Sequence, residues 1–286
     1  MNNKNYAVIT GASDGLGLEI SKTLWKAGYG LHLISRNKKK LIFIKESFLK
    51  NKNNQECLIY PFDIENIEEI NNVCDVIIKK TTVSVLINNA GIHGPIGPFY
   101  ENDMKLWDKA FRINFLAPVH FSNYFVKHFI KNKSGSIINI SGGGGTNCRE
   151  NFSSYAAAKT SLIRFTEILA KELVNLNIQV NAIAPGQMNT KLLKELVNQD
   201  PKYINKKELQ KIKNLINKKD NNMSKVLDLI IFLLSPRGKS ISGKIISSIW
   251  DNWTIWPDYV DFINKSDVYT LRRITGRERK FNQGDL

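Results

Sequence analysis

Seven short apolar runs, rich in β-branched residues, punctuate the chain, and longer stretches of helical periodicity separate them. The runs are YAVIT (6–10), LHLIS (31–35), CLIYP (57–61), SVLINN (84–89), SIINIS (136–141), IQVNAIA (178–184) and KIISSI (244–249). Helical patterns fill 15–28, 38–50, 65–80, 103–131, 154–175 and 224–234. Few architectures accept such an alternation. Several runs are almost continuously apolar, which suits strands of a parallel sheet covered by helices on both faces. The expected fold is therefore α/β: a single doubly wound domain around a parallel sheet of about seven strands. Ligands of such sheets bind outside the carboxyl ends of the strands.

Residues 1–250 are expected to form that domain, with no repeat, low-complexity linker or composition shift to mark a second one. Two segments fall outside the rhythm. A polar, Lys-rich insertion over 187–223 follows the sixth strand and is expected to be a helical lid over the substrate. A tail over 251–286, carrying Trp253 and Trp256 just after Trp250 and ending in YTLRRITGRERK, is expected to pack on the domain or on a neighbouring subunit.

A chain of 286 residues can bury roughly three-quarters of its unfolded surface, so it needs no disulfide or metal staple. Cys57, Cys74 and Cys148 show neither paired nor metal-ligand spacing; reduced thiols, no metal and a cytoplasmic location are expected. The N-terminus runs directly into a strand without a signal-peptide pattern, and LIIFLL (229–234) is far too short to cross a bilayer. Lys and Arg number 41 against 26 Asp and Glu, a net charge of +15. The excess is spread along the chain and no nucleic-acid-binding motif accompanies it, so neither nucleic acid nor membrane is expected as a partner. An anionic small-molecule substrate or cofactor fits the balance better.

The stretch Thr10-Gly-Ala-Ser-Asp-Gly-Leu-Gly17 ends the first strand and opens the first helix. Gly11 permits a tight turn, Gly15 lets backbone approach a pyrophosphate, and Gly17 allows the helix to pack closely on the sheet, the pattern of a Rossmann-type dinucleotide site. The unpaired N–H groups and positive dipole end of the helix then face the phosphates. The second strand ends in Ser35-Arg36 rather than in an acidic residue that would hold two ribose hydroxyls. Arg36 can form a charge-assisted bond to a 2′-phosphate, so NADP(H) is favoured over NAD(H) as cofactor.

Tyr155-Ala-Ala-Ala-Lys159 places a phenol and an ammonium one turn apart on one helix face. A free tyrosine titrates near pH 10, and a neighbouring cation lowers that value. Together with TGASDGLG, Asp63, Asn88-Asn-Ala-Gly91, Asn114, Pro185-Gly186 and Thr190, this pair resembles the short-chain dehydrogenase/reductase family, over approximately residues 5–250. The resemblance implies an NADP(H)-dependent oxidoreductase that interconverts a carbonyl and a secondary alcohol, with Tyr155 passing the proton and Lys159 lowering its pKa. By the same resemblance Asn114 holds a water linking Lys159 to solvent, Asp63 with Ile64 contacts adenine, and Thr190 reaches the carboxamide. Ser13, Asp14, Leu16, Asn89, Ala90, Gly91, Pro185 and Gly186 would line the cofactor crevice, although Leu16 also reads as a packing residue. The helices at 103–131 and 154–175 resemble those through which the family dimerises and tetramerises, which implies a homo-oligomer.

One position departs from the family pattern. A serine that hydrogen-bonds the substrate oxygen normally stands thirteen residues before the tyrosine, where this chain has Gly142. Ser141, Thr146 or Asn147 could replace it if the glycine run bends, or backbone N–H groups at Gly142 and Gly143 could donate, since glycine allows close approach. A third outcome is a cofactor-binding sensor without turnover. His93, after the NNAG turn, is a candidate substrate-pocket residue, whereas His32, His120 and His128 read as structural. The segment around the glycine run, APGQMNT and SDVYTLRRI are also similar to a subgroup found in bacterial surface-polysaccharide and nucleotide-sugar gene clusters. A sugar or sugar nucleotide is accordingly the expected substrate, with a 3-oxoacyl thioester or small ketone as the alternative.

Overall fold

The computed structural model describes residues 5–50, 55–200, 202–217 and 222–281; the NKKD stretch and the ends of the insertion and tail readings fall partly outside them. Seven strands, β1 Tyr6–Thr10, β2 Gly30–Ser35, β3 Cys57–Pro61, β4 Val83–Asn88, β5 Gly135–Ile140, β6 Ile178–Ala184 and β7 Ile245–Ser247, form one sheet in the order β3-β2-β1-β4-β5-β6-β7. Every pairing is parallel. The strand order reverses between β1 and β4, which opens a crevice at their carboxyl ends. The expected doubly wound α/β architecture is therefore the one observed.

Helices α1 (Gly15–Lys26), α2 (Lys38–Leu49) and α9 (Asn222–Leu234) bury Ile20, Leu24, Leu41, Leu229 and Leu233 against one face of the sheet. On the other face α3 (Ile70–Ile78), α5 (Ala117–Asn132) and α6 (Ser153–Glu172) enclose Phe121, Phe125 and Phe129 with Ile137 and Val180. Burial on both faces is why β1 and β5 carry no exposed residue, and why no polar alternation marks them in the sequence.

The helix expected over 103–131 is divided. Helix α4 (Met104–Phe111) gives way to a π turn over Arg112–Leu116 before α5 begins. Pro118 has no N–H to offer the carbonyl of Asn114 four residues earlier, so the α-helical ladder cannot run through. Turns of this kind concentrate at functional sites, and this one carries Asn114.

The insertion supplies α7 (Lys191–Val197) and α8 (Lys206–Asn217), which lie over the carboxyl edge of the sheet. The tail, including α10 (Val260–Lys265), folds back on the domain. Trp256 is buried and stacks 4.2 Å from Tyr269, Lys244 Nζ donates to the carbonyls of Ser266 and Val268, and Leu271 N donates to buried Glu167. Among the described residues no helix is long and apolar enough to cross a membrane, and no group of His, Cys, Asp and Glu is arranged to hold a metal ion.

Candidate active site

The turn between β1 and α1 is built on backbone geometry. Gly11 has φ +67° and Gly15 φ +48°, the left-handed region that other residues enter at a cost. A Cβ on Gly11 would stand 2.9 Å from the Ala90 Cα, and one on Gly17 would run into the Gly11 carbonyl. Asp14, at the N-cap of α1, makes no side-chain capping bond and pairs instead with Lys40. The first N–H groups of the helix thus keep no side-chain acceptor, the condition under which a helix start holds phosphate.

Neighbouring residues fix this turn. Thr10 Oγ1 accepts from the Asn89 and Ala90 N–H groups, and Asn89 Nδ2 donates 2.9 Å to the Thr10 carbonyl. Asn89 is therefore a brace between β1 and β4. Leu16 and Ile64 are buried and their side chains join the core clusters on opposite faces of the sheet. Ser13 Oγ lies 2.6 Å from Ser35 Oγ, tying the turn to the end of β2. Arg36, with 61% of its side chain exposed, sits 3.8 Å from Asp63, a loose surface pair that contributes little by itself. Lys40, four residues after Arg36, pairs with Asp14 of the β1–α1 turn. Across the cleft, Thr190 caps α7 by accepting from Leu193 N, and its side chain would stand 3.4 Å from a Cβ on Gly15. Gly186, at φ +70°, turns the chain after β6, while the Pro185 carbonyl accepts from Ser248.

Tyr155 and Lys159 both lie buried on α6, with Lys159 Nζ 5.8 Å from the Tyr155 ring centre. Lys159 donates to the Ile140 carbonyl at 2.8 Å, and burial lowers its pKa to about 8. Gly91 faces both groups: a Cβ there would lie 2.8 Å from Asn114 Oδ1 and 3.6 Å from Lys159 Nζ. At the phenol the charges differ from the expectation. Burial raises the Tyr155 pKa, and the charge that opposes this is Arg149 rather than Lys159. The Asn114 side chain grips the Ile92 backbone, with Oδ1 accepting from Ile92 N and Nδ2 donating to Ile92 O. Its side chain pins the loop after β4.

The glycine run is shaped by its neighbours. A Cβ on Gly142 would collide with the Tyr155 hydroxyl and approach its Cζ to 3.2 Å, so the phenol occupies the space a serine side chain would need. The three candidate side chains for the substrate oxygen make no hydrogen bond to that hydroxyl. Ser141 Oγ is buried without a hydrogen-bond partner and lies toward Gly145, whose Cβ would stand 2.9 Å away. Thr146 and Asn147 are exposed and bond to each other. Nothing would meet a Cβ on Gly143, which is exposed. His93 is buried, its ring centre 5.3 Å from that of Tyr155 and its Nδ1 unpartnered. Desolvation, then the charges of Arg149 and Lys159, lower its pKa to about 3, which keeps the imidazole neutral.

Part of the insertion over 187–223 lies against this site. Leu193, Leu196, Ile204 and Ile212 of the insertion pack with Phe152 and Tyr155 in one apolar cluster. Asn151 Nδ2 donates to the Tyr203 carbonyl, and Arg149 pairs with Glu208 at 2.6 Å. A cavity of about 230 Å³ remains beside His93, bounded by Leu106 and Lys109 of α4 and by Glu195 and Gln199 of the insertion.

Comparison with known proteins bears on this arrangement. The family model described as short chain dehydrogenase matches residues 5–201. A 3-oxoacyl-[acyl-carrier-protein] reductase of Buchnera aphidicola is 31% identical over 252 residues, covering 85% of this chain and 95% of its own. An L-xylulose reductase of Caenorhabditis elegans is 28% identical over 244 residues, covering 84% and 92%. Among solved structures, ElxO with NADP bound superposes with a TM-score of 0.72 at 26% identity, over 86% of this chain and 96% of that one.

Proposed function

The chain belongs to the short-chain dehydrogenase family, and from that premise we propose that it is an NADP(H)-dependent reductase of a small carbonyl compound, with Tyr155 as its proton donor. The observation that carries this reading is the juxtaposition at the carboxyl edge of the sheet: buried Tyr155 lies against Gly142 and buried Lys159 against Gly91, with a β1–α1 turn shaped for phosphate at the same edge.

The residues present fit the cofactor. Gly11, Gly15 and Gly17 would receive the pyrophosphate at the uncapped start of α1, and Arg36 would hold the 2′-phosphate. Asp63 stands beside Arg36 at the adenine end; Gly91, Pro185, Gly186 and Thr190 border the nicotinamide end. Bound NADPH supplies a hydride to the substrate carbonyl carbon. Tyr155 donates its phenolic proton to the oxygen as negative charge develops there, which is general acid catalysis. A phenol held protonated by burial is the correct form for that donation. Lys159, anchored on Ile140, orients the nicotinamide ribose and returns a proton to Tyr155. Gly142 offers no hydroxyl, so backbone N–H groups of Gly142 and Gly143, or the unpartnered Ser141 Oγ, would donate to the oxygen.

The substrate reading extends to a sugar or sugar nucleotide. Its support is limited to Lys109, Glu195 and Gln199, polar side chains that can bond hydroxyls at the rim of a cavity also lined by Ile92, Ile96 and Leu106. The identity to an L-xylulose reductase agrees with it. A 3-oxoacyl thioester is the second reading, favoured by the Buchnera relative. Assay of NADPH consumption against sugar nucleotides, keto sugars and a 3-oxoacyl thioester tests both. Consumption with a sugar that Arg36→Glu weakens is expected; tight NADPH binding without turnover on any of them would favour a non-catalytic sensor.

A further inference from the structure

Arg149 does not belong to the catalytic pattern, yet its position ties the site to its cover. Its guanidinium lies 3.6 Å from the centre of the Phe152 ring; that ring meets His93 edge-on at 5.8 Å, and His93 meets Tyr155 at 5.3 Å. Its charge reaches both His93 and Tyr155. Its ion-pair partner comes from the other side of the cleft: Glu208 stands on α8 of the cover, while Arg149 stands on the loop that leads from the glycine run into α6. Only 20% and 27% of the two side chains are exposed.

The cover cannot stay in place during substrate entry. Tyr155 is packed among Leu193, Leu196, Ile204 and Ile212, so a substrate reaches the phenol only when these side chains move off it. The movement that lifts α8 takes Glu208 away from Arg149. A partly buried guanidinium stripped of its carboxylate is costly, unless another anion replaces it.

We propose that Arg149 is the anion-recognition residue of the substrate site, and that Glu208 fills its subsite whenever the cover is down. The ligand it selects is a carbonyl compound bearing a carboxylate or a phosphate. This deepens the reductase reading and rests on it for the reacting carbonyl.

Two matched pairs of probes test the subsite and separate the sources of the anion: acetoacetate against methyl acetoacetate, and dihydroxyacetone phosphate against dihydroxyacetone. Binding to the NADP⁺-saturated protein is followed by calorimetry. The charged member of one pair should bind at least about 10-fold more tightly, as expected for a charge-assisted fork. Glu208→Gln, which removes the competing carboxylate, should widen that ratio, and Arg149→Gln should bring it to about one. If Arg149→Gln unfolds early, Arg149→Lys and Glu208→Gln decide the matter by themselves. Equal affinities within both pairs in the unaltered protein, or a ratio that Glu208→Gln narrows, would overturn the proposal. An NADPH titration on the same samples separates the two readings: intact cofactor binding with no anion preference removes only the subsite, whereas absent cofactor binding removes the reductase.

Discussion

Two glycine-rich turns stand at the carboxyl edge of one sheet, and glycine serves different ends in each. In the turn over 10–17 the backbone itself demands it: Gly11 and Gly15 take positive φ, and Gly17 has the Gly11 carbonyl where a Cβ would be. In the run over 142–145 none of the four has positive φ. There the requirement comes from neighbours, with the Tyr155 hydroxyl against Gly142 and open space beside Gly143. Demands of the first kind repeat wherever a helix start must approach phosphate, so spacing reveals them. Demands of the second kind depend on what folds against the run, and spacing alone is silent about them.

Substitution by alanine sharpens this contrast. Gly17→Ala should have the largest effect, because backbone must give way. A loss of about 3 kcal/mol in urea unfolding is expected, together with loss of NADPH binding; unchanged binding would mean that the turn does not hold the cofactor. Gly142→Ala should leave the fold melting close to the parent but displace the phenol. A misplacement on the order of 1 Å can cost about 100-fold in rate, read as kcat with the KM for NADPH unchanged; undiminished turnover would show that the hydroxyl need not sit where it does.

Acid separates the two regions less strongly. His32, in β2, and His93, beside Tyr155, have pKa values lowered to about 4 and about 3. Because these lie below the unfolded value near 6.5, their contribution to stability is complete above about pH 6.5 and is lost as pH falls toward 3–4. The melting temperature should drop across that interval, and His93→Phe should flatten the drop; an identical slope would place His93 in water. Gly143→Ala should have the smallest effect. With nothing near its Cβ and no positive φ, it should stabilise the chain by about 0.4–1 kcal/mol through the unfolded state. A destabilisation measured by urea melting would mean that this face of the run is occupied.

Much of the framework was readable because it follows from local rules. The parallel strands declared themselves by continuous apolar runs, and Gly11, Gly15 and Gly17 by their interval. Pro118 could have disclosed the break at Asn114, since the lost N–H is a property of sequence, but helical periodicity runs on unaltered through the π turn. The charge around Tyr155 was not readable. Whether an ammonium one turn away or burial governs a phenol depends on how deeply the helix is covered, and the cover comes from residues some forty positions downstream. Arg149 was missed for the same reason: in CREN it looks like any loop arginine until Glu208 is set against it.

The central claim is that Tyr155 passes a proton to a carbonyl oxygen while hydride arrives from NADPH. Incubation with NADPH deuterated at the transferring position and a panel of keto sugars, sugar nucleotides and 3-oxoacyl thioesters, followed by mass spectrometry of the alcohol, tests it most directly. Deuterium should appear in one alcohol product, and Tyr155→Phe should slow its appearance by about 100-fold or more. Labelling at the same rate in Tyr155→Phe would contradict the account.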